Sequence, residues 1–260
     1  MKKLVLICLV LATLCLPIMA QDCDSSYKEI TESSRSALNK AIVAGDVECV
    51  EYFLRTGSRI DKNNNKPLIL AITSEKEASY YIVSMLAEYG INMTKDMFVM
   101  TKGNKEKIGK DSPVSQVTKN AVFDYVDNKD LSSLPVQKFK LLLSLCKEKF
   151  FKSVDSSIYK DIIWYDIVHR NQDGINFLLD QGMPEYRIIP YVEGILEGIS
   201  SAPILSVKQQ EDYTTCKNML DFLKQNQKEK DDIFYQQLQN ALYNITKDKI
   251  EKYSSDLEQI

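Results

Sequence analysis

Apolar positions between Ser36 and Asp61 fall into two helical stripes. Leu38, Ala41 and Ile42 share one face, Val47, Val50, Phe53 and Leu54 share another, and Gly45-Asp46 separates them. With Gly57 after the second stripe, the pattern predicts a helix, a tight turn, a helix and a stop. A helix pair this short cannot bury both stripes alone, so it needs a similar neighbour. Lys66-Pro67-Leu68-Ile69-Leu70-Ala71 repeats the opening, and Val83, Met85, Leu86 and Gly90 repeat the close, with Gly90 33 residues after Gly57. The second unit has three more residues between Ala71 and Gly90 than the first has between Ala41 and Gly57, and the turn near Ser74–Ala78 is where they fit. Gly57 and Gly90 suit positions just past a helix end, where glycine adopts a left-handed backbone at least cost.

Met93–Asp111 interrupts this rhythm with Lys102, Lys105, Lys107 and Lys110 around Gly103 and Gly109, and predicts a lengthened, solvated loop. Helix pairs then resume. Val114, Val117, Ala121, Val122 and Tyr125 predict a first helix, and Phe139, Leu142, Leu143 and Leu145 a second, with Asp127–Leu134 as the turn. Ile162, Ile163 and Ile167 lead to Asp173–Asp180 and Gly182, where Asp166 and Arg170 replace the first-helix Ala and the turn Gly. Ile188–Ile199 and Tyr213–Leu223 predict another pair, and Gly194 and Gly198 imply close helix packing. Gln225–Asp232 reads as a polar break before a last, charged pair, Phe234–Ile245 and Ile250–Leu257.

Position by position, 36–61 resembles the ankyrin repeat. Ser36-Ala37-Leu38 stand where Thr-Pro-Leu is usual, and Ala41, Gly45, Val50, Phe53-Leu54 and Gly57 fall at their expected places. Asn39 replaces the usual His, and Ser58-Arg59-Ile60-Asp61 replaces the usual ending. The resemblance is specific over 36–92, suggestive over 112–182 and architectural over 188–260. It implies an all-α, ankyrin-like solenoid of stacked helix-turn-helix pairs, one domain over 36–260 preceded by a segment 21–35. It also implies a protein partner, unidentified by the sequence, that meets loop tips and exposed first-helix faces near Arg59, Asp61, Lys62, Asn63, Asn65, Thr73 and Ser74. If 112–260 continue the stack, Leu142, Leu143, Leu178 and Leu179 should be buried as Phe53 and Leu54 are.

Residues 1–20 carry Lys2 and Lys3, an apolar run, Pro17 and a small Ala20, the pattern of a cleaved secretory signal. The expectation is an exported protein, periplasmic or secreted, with no stable membrane span after cleavage. Losing the two lysines moves the net charge from −3 to −5, which argues against nucleic acid as principal partner. Of six cysteines, Cys23, Cys49, Cys146 and Cys216 lie beyond the signal. They allow three pairings. The helix-interior positions of Cys49 and Cys216 suit buried thiols as well as they suit disulfides.

Catalytic patterns are thin. No GxSxG, HExxH, Walker loop or GxGxxG occurs, no cofactor is implied, and a single His without CxxC spacing makes a zinc site improbable. The expectation is a non-enzymatic binding module. Its rival is an enzyme or ligand-binding protein with a pocket in the divergent half around Trp164, Asp166, His169 and Tyr191.

Overall fold

The computed structural model describes residues 23, 26–27, 34–56, 64–94, 98–101, 104–107, 112–202 and 204–258. The chain divides into two compact units, 1–162 and 163–260. In the first, α1 (Ser34–Ala44) and α2 (Val47–Arg55) form one pair, α3 (Lys66–Thr73) and α4 (Ala78–Glu88) the next, and α5 (Pro113–Asn128) and α6 (Leu134–Cys146) a third. First helices α1, α3 and α5 pack side by side, and second helices α2, α4 and α6 do the same. The equivalent positions Leu38, Ala41 and Ile42, then Leu68, Ala71 and Ile72, then Val114, Val117 and Thr118 are all buried. Burying each larger aliphatic among them contributes about 1.5–3 kcal/mol, so the stripes hold the layers together. A 3-10 turn (Lys147–Lys149) and the short α7 (Phe150–Ser153) end the third pair, with Phe150 edge-on to Phe139 at 5.1 Å.

The unit boundary falls within α8 (Ser156–His169). The second unit continues with α9 (Asp173–Asp180), α10 (Ile189–Ser200) and α11 (Val207–Glu258), and α10 packs on the start of α11 around buried Cys216, Met219 and Leu223.

Helix ends explain why the pairs recur where the consensus fades. Gly45 N–H donates to Ile42 O and Asp46 N–H to Ala41 O, both at 3.0 Å, with Gly45 at φ 71°. The same two bonds recur at Gly90 with Ile91, at Arg170 with Asn171 and at Gly182 with Met183. This double bond satisfies the last carbonyls of a helix and needs one left-handed residue. Arg170, at φ 54°, takes that conformation where the first pair has glycine, so its departure from the pattern leaves the turn intact. Asp166 is likewise fully buried, and its two oxygens accept from Gly174 N–H (3.0 Å) and Ile175 N–H (2.9 Å). In place of a small residue, the first helix of this pair provides the N-terminal cap of the second.

Several expectations are corrected. The 93–111 segment is more than a loop: β1 (Phe98–Thr101) pairs antiparallel with β2 (Asn104–Lys107), Thr101 opposite Asn104. Phe98, Val99 and Thr101 favour a strand, and the two-residue connection suits a hairpin. Gln225–Asp232 does not break the chain, nor do 234–245 and 250–257 form a pair, because α11 runs through all of them as one 52-residue helix. Polarity alone does not stop a helix, and 207–258 contain neither Gly nor Pro. Gly194 and Gly198 are exposed, with nothing within 4 Å of a built Cβ, so they mediate no close packing. Leu142 and Leu178 are buried as expected, but Leu143 and Leu179 are half-buried, one position round the helix from the core stripe.

Cys23 and Cys49 form a disulfide, leaving Cys146 and Cys216 free. The Tyr27 hydroxyl donates to Asp46 Oδ2 at 3.1 Å, while Asp46 Oδ1 accepts from Cys49 N–H at 3.0 Å. The N-terminal segment is thus tied to the start of α2 twice. Burial pushes the Cys146 and Cys216 thiols up to about 11, so both stay protonated and unreactive at neutral pH.

Lysines join neighbouring pairs through the carbonyl ends of first helices. Lys76 Nζ, from the second pair, donates to Ala44 O at the end of α1 (2.6 Å). Lys138 Nζ, from α6, donates to Ala71 O (3.0 Å), Ile72 O (3.2 Å) and Ser74 O (2.6 Å) at the end of α3. Lys138 is 1% exposed, and burial lowers its pKa to about 8. At neutral pH it remains an ammonium, with three donors for three carbonyls at the negative end of a helix.

Gly45→Ala should destabilise the protein by roughly 1–3 kcal/mol, since a left-handed non-glycine residue costs of that order. A Cβ there would also meet Lys76 Cδ at 2.8 Å. A thermal melt checks this. Lys138→Met should cost about 1–3 kcal/mol at pH 7 by leaving buried carbonyls unsatisfied. The unfolded lysine titrates at 10.5 and the folded one near 8. Between those values the unfolded state holds more protons, so wild type should gain stability relative to Lys138→Met as pH rises, with no such gain below pH 8. Paired urea titrations at pH 7 and pH 10 measure the difference.

Candidate functional site

A cavity of about 500 Å³ opens where the turn after α3 meets α5 and the start of α6. Ile72–Glu75, Lys119, Asn120, Phe123, Asp124, Leu134, Pro135 and Lys138 line it. The buried stripe of α5 turns Val114, Val117 and Ala121 inward, which leaves Lys119, Asn120 and Phe123 on its other face. Lys119 Nζ lies 5.6 Å from the Phe123 ring centre and 3.3 Å from Asp161 Oδ2. Phe123 is half-buried, so one side of its ring faces the groove.

The groove is fixed from below. Lys138 forms its floor with all three N–H groups committed to α3 carbonyls. Asp124 Oδ1 accepts from Asn128 Nδ2 at 3.0 Å, whereas Asp124 Oδ2 is shielded from solvent without a hydrogen-bond donor. An unsatisfied buried acceptor carries a cost of about 1–3 kcal/mol. Rotation of the Asp124 carboxylate toward the groove would let an N–H or ammonium donor of a ligand relieve it, beside an aromatic face and the exposed Glu75.

The structure brings two of the expected contact residues to this groove. Thr73 is exposed, its hydroxyl held by Ile69 O (3.0 Å) and Leu70 O (3.3 Å), and Ser74 is half-buried with its carbonyl on Lys138. Asn65 is fully buried at the residue preceding α3, so it offers no surface to a partner. Arg59, Asp61, Lys62 and Asn63 lie outside the described residues. Lys119, Phe123, Asp124 and Lys138 escaped sequence reasoning. Their signal was the off-stripe face of 113–128, and a lysine inside the apolar run of Val136, Phe139 and Leu142.

A second cavity, of about 650 Å³, lies at the far ends of the second helices, between Gly90–Thr94 and Leu145–Lys149. Met93 O accepts from Val114 N–H there (3.2 Å), which closes the base of the segment carrying the β1–β2 hairpin.

The residues of the rival pocket are engaged separately. Asp166 spends both oxygens on the α9 amides. His169 is exposed, with Nδ1 2.8 Å from Tyr165 O and its ring stacked 4.2 Å from Tyr165. Trp164 is 43% exposed and Tyr191 half-buried. Among the described residues no helix is long and apolar enough to cross a membrane.

A family profile described as ankyrin repeats, in three copies, matches residues 9–97. No curated protein and no solved structure matches the chain. The profile counts one copy more than the two openings read at Ser36 and Lys66, and it ends at the hairpin, while the layered pairing of α1–α4 extends to α5 and α6. Stacked pairs, repeated turn bonds and this match agree that ankyrin repeats lie within residues 9–97 of the chain.

Proposed function

We propose that this chain is an exported, non-enzymatic protein-binding module whose partner seats in the groove between the α3–α4 turn and α5. Ankyrin repeats generally mediate protein–protein interaction. The observation that carries the site is the buried, donorless Asp124 Oδ2 beside Phe123, on the turn and first-helix side where partners of such repeats dock. A basic or amide-bearing side chain from the partner fits it by charge and hydrogen bonding. Rigid helices on both sides hold the groove without further ordering, which favours binding.

Export is supported by the signal-like 1–20 and by the Cys23–Cys49 disulfide, a bond that persists in oxidising compartments.

A photo-crosslinking residue at Lys119 should capture a partner in the extracellular or periplasmic fraction of the native host. One at Leu145, on the other side of the repeats, should not. Phe123→Ala with Asp124→Ala should abolish the adduct while leaving the helical circular dichroism in place. Equal capture at both positions contradicts this groove as the site. The mature protein should begin at Gln21, and reducing Cys23–Cys49 should remove about 3–4 kcal/mol of stability, the loop-closure value for a loop of this length. Sequencing the purified N-terminus and melting with and without reductant test both points. A cytosolic protein retaining Met1 would contradict export.

A further inference from the structure

Lys119 places a cation of the protein's own at the groove beside α5. Its Nζ lies 5.6 Å from the centre of the Phe123 ring, within reach of a cation–π contact, and 3.3 Å from Asp161 Oδ2 on α8. Both side chains of that ion pair are open to solvent, at 39% and 48% exposure, so the pair holds Lys119 only weakly. The aromatic face therefore already receives a cation, and one on a tether that yields.

The other charges around the groove favour a second cation. Glu75 is exposed and carries no ion pair among the described residues. Asp124 Oδ2 has no donor, and Lys138, the other lysine of the lining, has all three N–H groups on α3 carbonyls. Two carboxylates are thus left without a cation beside one aromatic face. An incoming ammonium would exchange with the ammonium of Lys119 and gain nothing at the ring. A guanidinium gains more. It is planar and weakly hydrated, stacks on an aromatic face, and carries five donors in a fork that matches carboxylate oxygens.

We propose that the partner seats an arginine side chain in this groove, its guanidinium taking the place of the Lys119 ammonium on Phe123 and donating to Glu75 and to a rotated Asp124. Asp161 keeps Lys119 at the rim, where it gives way to the arginine instead of folding over the groove carboxylates. Lys119 and Asp161 are in this sense positioning residues for recognition. The proposal rests on the groove as the partner's seat and adds the chemistry of the group that enters it.

The test uses the full chain and the acetylated amides of arginine, lysine and citrulline, followed by NMR shifts of the backbone amides of 73–75 and 119–124. The arginine probe should shift these amides, the lysine probe should bind more weakly, and citrulline, which keeps the shape without the charge, should shift nothing. Lys119→Met should tighten arginine binding about two- to fivefold, the size of one exposed cation–π contact. Asp161→Asn should weaken it, because the released Lys119 then pairs with the groove carboxylates. Phe123→Leu should remove the preference for arginine over lysine. Equal shifts by citrulline, no shift by arginine, or arginine binding unchanged or weaker in Lys119→Met would overturn the proposal. Capture of a partner by the crosslinker at position 119 with no shift by arginine would leave the groove as the partner's seat and overturn the arginine alone. Shifts in the expected order with no capture at 119 would overturn both.

Discussion

The ammonium of Lys138 is the contact on which the first unit most depends, because it answers a problem every short helix pair shares. The last carbonyls of α3 have no partners within their own helix. The following pair sends a lysine from α6 into the apolar layer, where its three donors meet three of those carbonyls. Neutral-pH burial of an unpaired ammonium would be costly, and the lowering of its pKa to about 8 records that cost. The carbonyl contacts and the negative end of α3 offset enough of it to keep the proton. Lys76 on Ala44 O repeats the device one pair earlier, over a glycine whose missing side chain leaves it room. Neighbouring pairs are therefore joined by oriented polar contacts as well as by apolar area.

The same lysine shapes the candidate site. Because its ammonium faces α3, the groove above it keeps an aromatic wall at Phe123 and an acceptor at Asp124, with no cation directed outward from the floor. Specificity can then come from a few converging groups on rigid elements, as in other concave sites. The β1–β2 hairpin connects the second pair to the third, and its base is pinned by the Met93–Val114 backbone bond.

Much of this was legible in the sequence where local chemistry decides it. The two openings at Ser36 and Lys66, the left-handed glycine at Gly90, and the closing Gly182 all state a local backbone need. Helix pairs between 112 and 182 were legible from their apolar spacing alone. Less legible were positions where tertiary context overrides residue type. Arg170 occupies a glycine conformation, and Asp166 turns a buried carboxylate into a cap. The run 225–232 read as a break by polarity although nothing in it opposes a helix. The hairpin was hidden by its lysines, since strand preference rests on the few residues 98–101. The Cys23–Cys49 pairing depends on which thiols the fold brings together, which spacing does not reveal.

Mutual dependence of the pairs is the central claim for the first unit, and truncation tests it most directly. Two chains should be compared by circular dichroism through a thermal melt, one ending at Thr94 and one ending at Ile162. The account predicts a shallow, low-temperature transition for the shorter chain, which lacks α5, α6 and Lys138, and a sharp one for the longer. A sharp, equally stable transition in the chain ending at Thr94 would show that the first two pairs need neither the third nor its lysine.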